Sequence, residues 1–164
     1  MTAKLSISEK TYDKRPSFYT FFFHKRKSLY LFYNRQTLTG IRFAKGKVNG
    51  KSGIILLPDD WNEEYYILNN LNNAGSDYES NDLSINQWRT IEQHGAVFLP
   101  NAGYRYGTTV ANIGNGYYWS SSAIHQNTNN AYGLWFYGNG IKLNSGLHYR
   151  YYGYSVRLVY DYNP

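Results

Sequence analysis

A chain of 164 residues with a 42% hydrophobic fraction fits one domain, because a core of this size buries roughly two thirds of the surface its unfolded chain exposes. Aromatic residues reach 19%, including 19 Tyr, while charged residues stop at 17%, so the surplus is aromatic and uncharged. The absence of Cys excludes disulfides, thiolate metal sites and a cysteine nucleophile; much of the net charge of +6 sits in the run HKRK, His24 to Lys27, rather than along a face, so nucleic acid is not an expected partner.

No apolar run approaches the roughly 20 residues of a membrane-spanning helix. The segment SFYTFFF, after Lys14 and Arg15, is too short and too aromatic for the core of a secretory signal, and more basic residues follow it. Neither a transmembrane segment nor a signal peptide is therefore expected.

Residues 1–27 alternate polar and apolar only weakly and read as an N-terminal extension of unreadable role, with a strand over the Phe21–Phe23 trio. The domain proper is placed at 28–164. SLYLFYN is a strand or a short helix, and the text from Arg35 to Pro58 reads as short strands punctuated by Gly40, Gly46 and an Asn49-Gly50 turn. Ile54 to Leu57 is a buried strand ended by Pro58. Asp59 and Asp60 then open an exposed connection carrying Trp61, and residues 62–83 form a long surface loop. Ser84 with Gln87 makes a capping-box signature, Ile85, Trp88 and Ile91 make an apolar helical stripe, and Gly95 suits the residue after the helix. A short strand, AVFLP, and a glycine-punctuated loop, NAGYRYGTTVANIGNG, lead into the last third.

That last third, 116–160, is the expected binding face. Tyr117 to Ser121 reads as a strand with Trp119 as core anchor, and 122–130 as a polar loop. Tyr132, Leu134 and Phe136 alternate with Gly133, Trp135 and Tyr137, so one set faces the core and the other faces out. Asn139-Gly140 signals a hairpin returning through Ile141 and Leu143, and Tyr154, Val156 and Leu158 repeat the alternation in a closing strand. The expected fold class is α+β, a mostly antiparallel sheet of short strands with one or two short helices.

A search for catalytic chemistry is negative. His24, His94, His125 and His148 have no metal-ligand spacing and no adjacent Ser or Asp partner. The neighbouring carboxylates Asp59 and Asp60 point apart on an extended chain and form no calcium loop, and the Gly-rich pieces lack the context of phosphate loops. No metal and no cofactor is expected. Positive evidence lies in the mixture of Tyr, Trp, Ser, Gly and Asn: the aromatics give large contact area at low entropic cost, and the small polar residues give adaptable hydrogen bonds. The same strands packing on a second sheet face would be the purely structural explanation.

Four segments in order, GIRFAKGKVNGKSGIILLPDDW, QWRTIEQHGAVFLPNAGYRYG, GYYWSSS and RYYGYSVRLV, closely resemble the Fibrobacter-type major paralogous domain of Bacteroides-group bacteria, over about residues 28–160. The resemblance implies a C-type lectin-like fold of the formylglycine-generating-enzyme branch, shared with the variable proteins of diversity-generating retroelements, and a cell-surface or extracellular location. It implies structural roles for Trp119 with Ser120 and Ser121, and for Arg157 with Val156 and Leu158, beside Leu134 and Phe136, which their alternation assigns to the core. The positions similar to diversified ones are Gly133, Trp135, Tyr137, Lys142, Leu147, His148, Tyr149, Tyr151 and Tyr152, which are the candidate ligand-binding residues. Adenine-directed diversification of AAC codons yields Asn, Tyr, Ser, His and Gly, in keeping with this composition. The EPN, QPD and WND signatures of calcium-dependent lectins are missing, so carbohydrate stays open as a ligand without a calcium-lectin motif, and the cysteines of the formylglycine-generating branch are absent too. The expectation is a non-enzymatic protein that displays a Tyr-rich face to a macromolecular ligand, a protein first of all. The alternative is a structural subunit of a surface fibre or adhesin that uses the same face for self-assembly.

Overall fold

The computed structural model describes residues 19–24, 27–31, 43–58, 61–120 and 129–157. Asp59, Asp60, His125 and Leu158 lie outside the described residues, as do the side chains of His24 and Leu147. Strands β1 (Tyr19–His24) and β2 (Lys27–Leu31) pair as an antiparallel hairpin.

The first larger sheet is built on β3 (Phe43–Val48) and β4 (Lys51–Leu56), which pair antiparallel across Asn49-Gly50. Both turn residues take positive φ, +49° and +75°, the left-handed conformation a two-residue hairpin demands and Asn-Gly tolerates. Strand β5 (Asp82–Leu83) joins β3 in parallel, and β6 (Val97–Pro100) joins β4 antiparallel. Between them runs α1 (Ile85–Gln93) with the capping box in place: the Ser84 hydroxyl accepts from the Gln87 N–H, and the Gln87 side chain accepts from the Ser84 N–H at 2.9 Å. Trp88 and Ile91 are buried, but Ile85, at the first helical position, is exposed. Strands β7 (Tyr104–Tyr106) and β8 (Thr109–Ala111) form a small hairpin. The second larger sheet, in the order β11-β10-β9, comprises β9 (Gly116–Trp119), β10 (Asn130–Tyr137) and β11 (Gly140–Tyr149). The fold is α+β, strand-rich and largely antiparallel with one α-helix among the described residues. No helix there is long and apolar enough to cross a membrane.

The unbroken apolar run at Ile54–Leu57 follows from β4 being covered on both faces. Ile54 and Leu56 point with Val97 and Leu99 toward Tyr118, Leu134 and Phe136 of the second sheet, whereas Ile55 and Leu57 point toward Trp61, Trp88 and Ile91. Each such side chain contributes roughly 1.5–3 kcal/mol through removal from water.

Trp61 is among the most completely buried side chains, a core anchor standing before the exposed residues Asn62, Glu63 and Glu64. The 62–83 segment is pinned by Asn81. Its Nδ2 donates to the carbonyls of Lys45 (2.7 Å) and Asn69 (3.0 Å), and its Oδ1 accepts from the Asn69 N–H (2.7 Å).

Lys45 is the unexpected core residue. It pairs with Ile54 and so points toward the second sheet, where its Nζ donates to the carbonyls of Tyr137 (2.8 Å) and Gly138 (2.7 Å) at the β10–β11 turn. The Nζ also lies 5.2 Å from the centroid of the Tyr78 ring. Burial lowers its pKa below the ordinary lysine value, with Asp77 opposing. One side chain thus ties a turn of one sheet to the interior of the other. Lys45→Met should lower the unfolding free energy by about 1–3 kcal/mol, since the alkyl volume stays but two acceptors lose their donor. Urea denaturation reads this directly, and an unchanged midpoint would show that the turn does not depend on the ammonium group.

That turn consists of Gly138 and Asn139, with Tyr137 and Gly140 paired across it, one residue earlier than the Asn-Gly signal places it. The expected closing strand is also different: residues 153–155 make only isolated bridges, Gly153 to Arg105 and Ser155 to Tyr118. Val156, assigned to the core, is 63% exposed, because that backbone crosses the sheet by single bridges and imposes no strand alternation.

Candidate binding face

The register between β9 and β10 decides which aromatic faces where. Tyr118 lies opposite Leu134 and Gly116 opposite Phe136, while Tyr117 lies opposite Trp135 and Trp119 opposite Gly133. Directly paired residues share a face. Tyr118, Leu134 and Phe136 therefore form the inner face, and Tyr117, Trp119, Gly133, Trp135 and Tyr137 the outer one. This corrects the core assignment of Trp119: it is half-buried and stacks on Tyr154 with centroids 4.4 Å apart, on the side away from Leu134 and Phe136. The buried core aromatic of GYYW is Tyr118, whose hydroxyl donates to the Pro100 carbonyl at 2.8 Å.

The outer face is covered by rings in successive layers. On the sheet itself Tyr117 stacks on Trp135 (5.8 Å, 13°), Trp135 leans on Tyr137 (4.9 Å), and the Lys142 Nζ sits 5.2 Å from the Trp135 centroid. Above them Tyr104 contacts Tyr117 (4.9 Å) and Tyr154 (5.6 Å), and Tyr152 stacks parallel to Tyr154 (5.8 Å, 9°). Outermost, Tyr149 stacks on Tyr151 (5.1 Å, 9°), and Tyr106 touches Tyr151 and Tyr152. Tyr154 is buried, whereas Tyr149, Tyr106 and Tyr151 are 45%, 57% and 62% exposed. Offset and edge contacts of this kind contribute roughly 0.5–1.5 kcal/mol each beyond area burial.

Main-chain bonds hold the cover in place. Arg105 and Gly153 exchange both N–H···O bonds (2.9 and 2.7 Å), the Ser155 N–H donates to the Tyr117 carbonyl (2.9 Å), and the Trp119 N–H donates to the Ser155 carbonyl (3.0 Å). The segment after β11 thus folds back across the sheet it has just left.

That fold-back places the candidate residues unequally. Lys142, Tyr149 and Tyr151 are exposed, and Trp135, Tyr137 and Tyr152 are half-buried. Gly133 and His148, expected to face out, are buried: a Cβ on Gly133 would lie 3.0 Å from the Tyr118 carbonyl oxygen and 3.3 Å from His148 Cδ2. His148, 8% exposed, sits 2.7 Å through Nδ1 from the Tyr154 hydroxyl, and burial lowers its pKa below the ordinary histidine value. Alternation along β10 cannot reveal this, because the covering atoms come from residues 148–154. The sequence reading misses Tyr104, Tyr106, Tyr117 and Tyr154 as members of the face, although the alternation of Tyr104-Arg105-Tyr106 is a strand signal inside a stretch otherwise rich in turn residues.

Chemically the face offers phenol hydroxyls, indole rings and two exposed cations, Lys142 over Trp135 and Arg150 between Tyr149 and Tyr151 in sequence. No three His, Cys, Asp or Glu side chains converge on a metal-sized space among the described residues. No protein-family model, no curated protein and no solved structure matches the chain.

Proposed function

We propose that this chain is a non-enzymatic ligand-binding protein of the C-type lectin-like fold, and that its tyrosine face takes a macromolecular ligand, a protein. The observation that carries the reading is the layered ring stack: Tyr106, Tyr149 and Tyr151 stay largely exposed while the rings beneath hold them in place. Exposed apolar groups fixed before binding lose little entropy on contact, which is the arrangement of an interface anchor. Diversification by a retroelement belongs to the same proposal. The outer rings project from main chain held by its own hydrogen bonds, so substitution at Tyr149 or Tyr151 leaves Leu134 and Phe136 packed. Gly133 and His148 would tolerate far less change.

Panning a random-peptide display library on the protein tests the reading. Selected peptides should bind the Tyr149→Ser/Tyr151→Ser variant at least about 30-fold more weakly, as expected for loss of an interface hot spot of about 2 kcal/mol or more. Its melting temperature should stay within a few degrees of the parent. Peptides that bind parent and variant equally well would remove this face as the binding site.

A further inference from the structure

The charge of the chain is segregated in a way that bears on the partner. Most of the 11 acidic residues lie between Asp59 and Glu92, and none occurs from Gln93 to Tyr160, the stretch that builds the whole tyrosine face. Every charged residue in that stretch is a cation. Lys142 reaches over the Trp135 ring. Arg150 stands between the stacked Tyr149 and Tyr151 and donates from Nε to the Asn130 carbonyl at 3.0 Å. Arg105 is exposed on β7, but strand alternation turns its side chain to the opposite side from Tyr104 and Tyr106, so it is not counted among the cations of the face. Cations without acidic neighbours beside an aromatic centre set which partner is attracted and which repelled.

We propose that the partner is an acidic protein segment, its Asp and Glu carboxylates met by Lys142, Arg150 and the tyrosine hydroxyls while its apolar side chains lie on the rings. This rests on the binding role proposed for the face. Phenol hydroxyls donate to carboxylates, and guanidinium groups match them in a two-pronged geometry. The cations favour protein over single-stranded nucleic acid: they are single and spaced by aromatics, where a phosphate backbone is tracked by a basic groove.

The test uses fluorescence anisotropy of the full chain with two synthetic peptides of equal length, one alternating Glu and Tyr and the other Gln and Tyr, and with a dT oligonucleotide. At about 50 mM salt the Glu peptide should bind about tenfold more tightly than the Gln peptide, and the advantage should shrink severalfold at about 500 mM as charges are screened. Lys142→Gln/Arg150→Gln should reduce the advantage of the Glu peptide over the Gln peptide to about twofold. Equal affinity for the two peptides, or an advantage indifferent to salt and to the double substitution, overturns the inference. So does tighter binding of the oligonucleotide, or self-association in sedimentation that blocks the Glu peptide. If peptides selected by display still depend on Tyr149 and Tyr151 in any of those cases, the binding role stands and only the acidic partner falls; if that dependence is missing, the binding role itself has failed.

Discussion

Phe136→Ala should lower the unfolding free energy by about 3–5 kcal/mol, a large fraction of the 5–15 kcal/mol that typically holds a domain together. Phe136 is completely buried and lies parallel to Tyr118, centroids 6.0 Å apart, in the cluster where the two larger sheets meet. Its ring also covers Gly116, the residue paired with it on β9; a Cβ at Gly116 would fall inside the ring. The site is therefore shaped around this one side chain, and removing it opens a cavity between two sheets, each too stiffly hydrogen-bonded to collapse into it. Gly116→Ala should be destabilising for the complementary reason, since the only atoms that could yield belong to a core ring. Chemical denaturation gives both values, and a loss below about 1 kcal/mol for Phe136→Ala would mean that the sheets do not pack as described.

Raising the pH from about 10 to about 12 should unfold the protein, driven by tyrosines that the fold keeps protonated. The Tyr118 hydroxyl is pushed up to about 12, chiefly by burial, with Arg157 and a hydrogen bond with Ser155 pulling the other way. Tyr154 is raised further by burial and by its neighbours Tyr117, Tyr104 and Tyr152. In the unfolded chain these phenols ionise near 10. Across the interval the folded state keeps protons that the unfolded state releases, so the stabilisation is fully present below about pH 10 and is lost as pH rises through the folded value. Tyr118 alone accounts for about 2 kcal/mol of that loss between about pH 10 and about pH 12. Lys45 acts in the opposite sense, because its lowered pKa makes the unfolded chain the better proton acceptor, but it is one group against several. Phenolate absorbance followed with circular dichroism should show some tyrosines ionising only as structure is lost. Ionisation of every phenol near pH 10 with structure intact would contradict the packing of Tyr118 and Tyr154.

What the sequence made legible was local. Asn49-Gly50, the Ser84–Gln87 capping box and the apolar run at Ile54–Leu57 each carry their cause within a few residues, and the structure has each where expected. The alternation that separates Leu134 and Phe136 from Trp135 and Tyr137 also stands. What was not legible depends on distant partners. GYYW is aromatic at three successive positions, so only pairing with Leu134 makes Tyr118 the inner one and Trp119 an outer one. A lysine among strand residues looks like a surface charge, and only the turn carbonyls of Tyr137 and Gly138 give Lys45 a reason to be inside. Trp135 reads in the sequence as a free surface ring, yet its contacts with Tyr117 and Lys142 make it part of the support, which leaves Tyr149 and Tyr151 as the better probes of binding.

The claim that one sheet serves two separate purposes, a core within and a graded tyrosine face without, is tested most directly by hydroxyl-radical footprinting of the whole chain read by mass spectrometry. Tyr106, Tyr149 and Tyr151 should be modified rapidly, and Tyr117, Tyr118 and Tyr154 should be protected until the protein unfolds. Comparable modification of both groups in the folded protein would contradict the layered face and the separation of binding from folding.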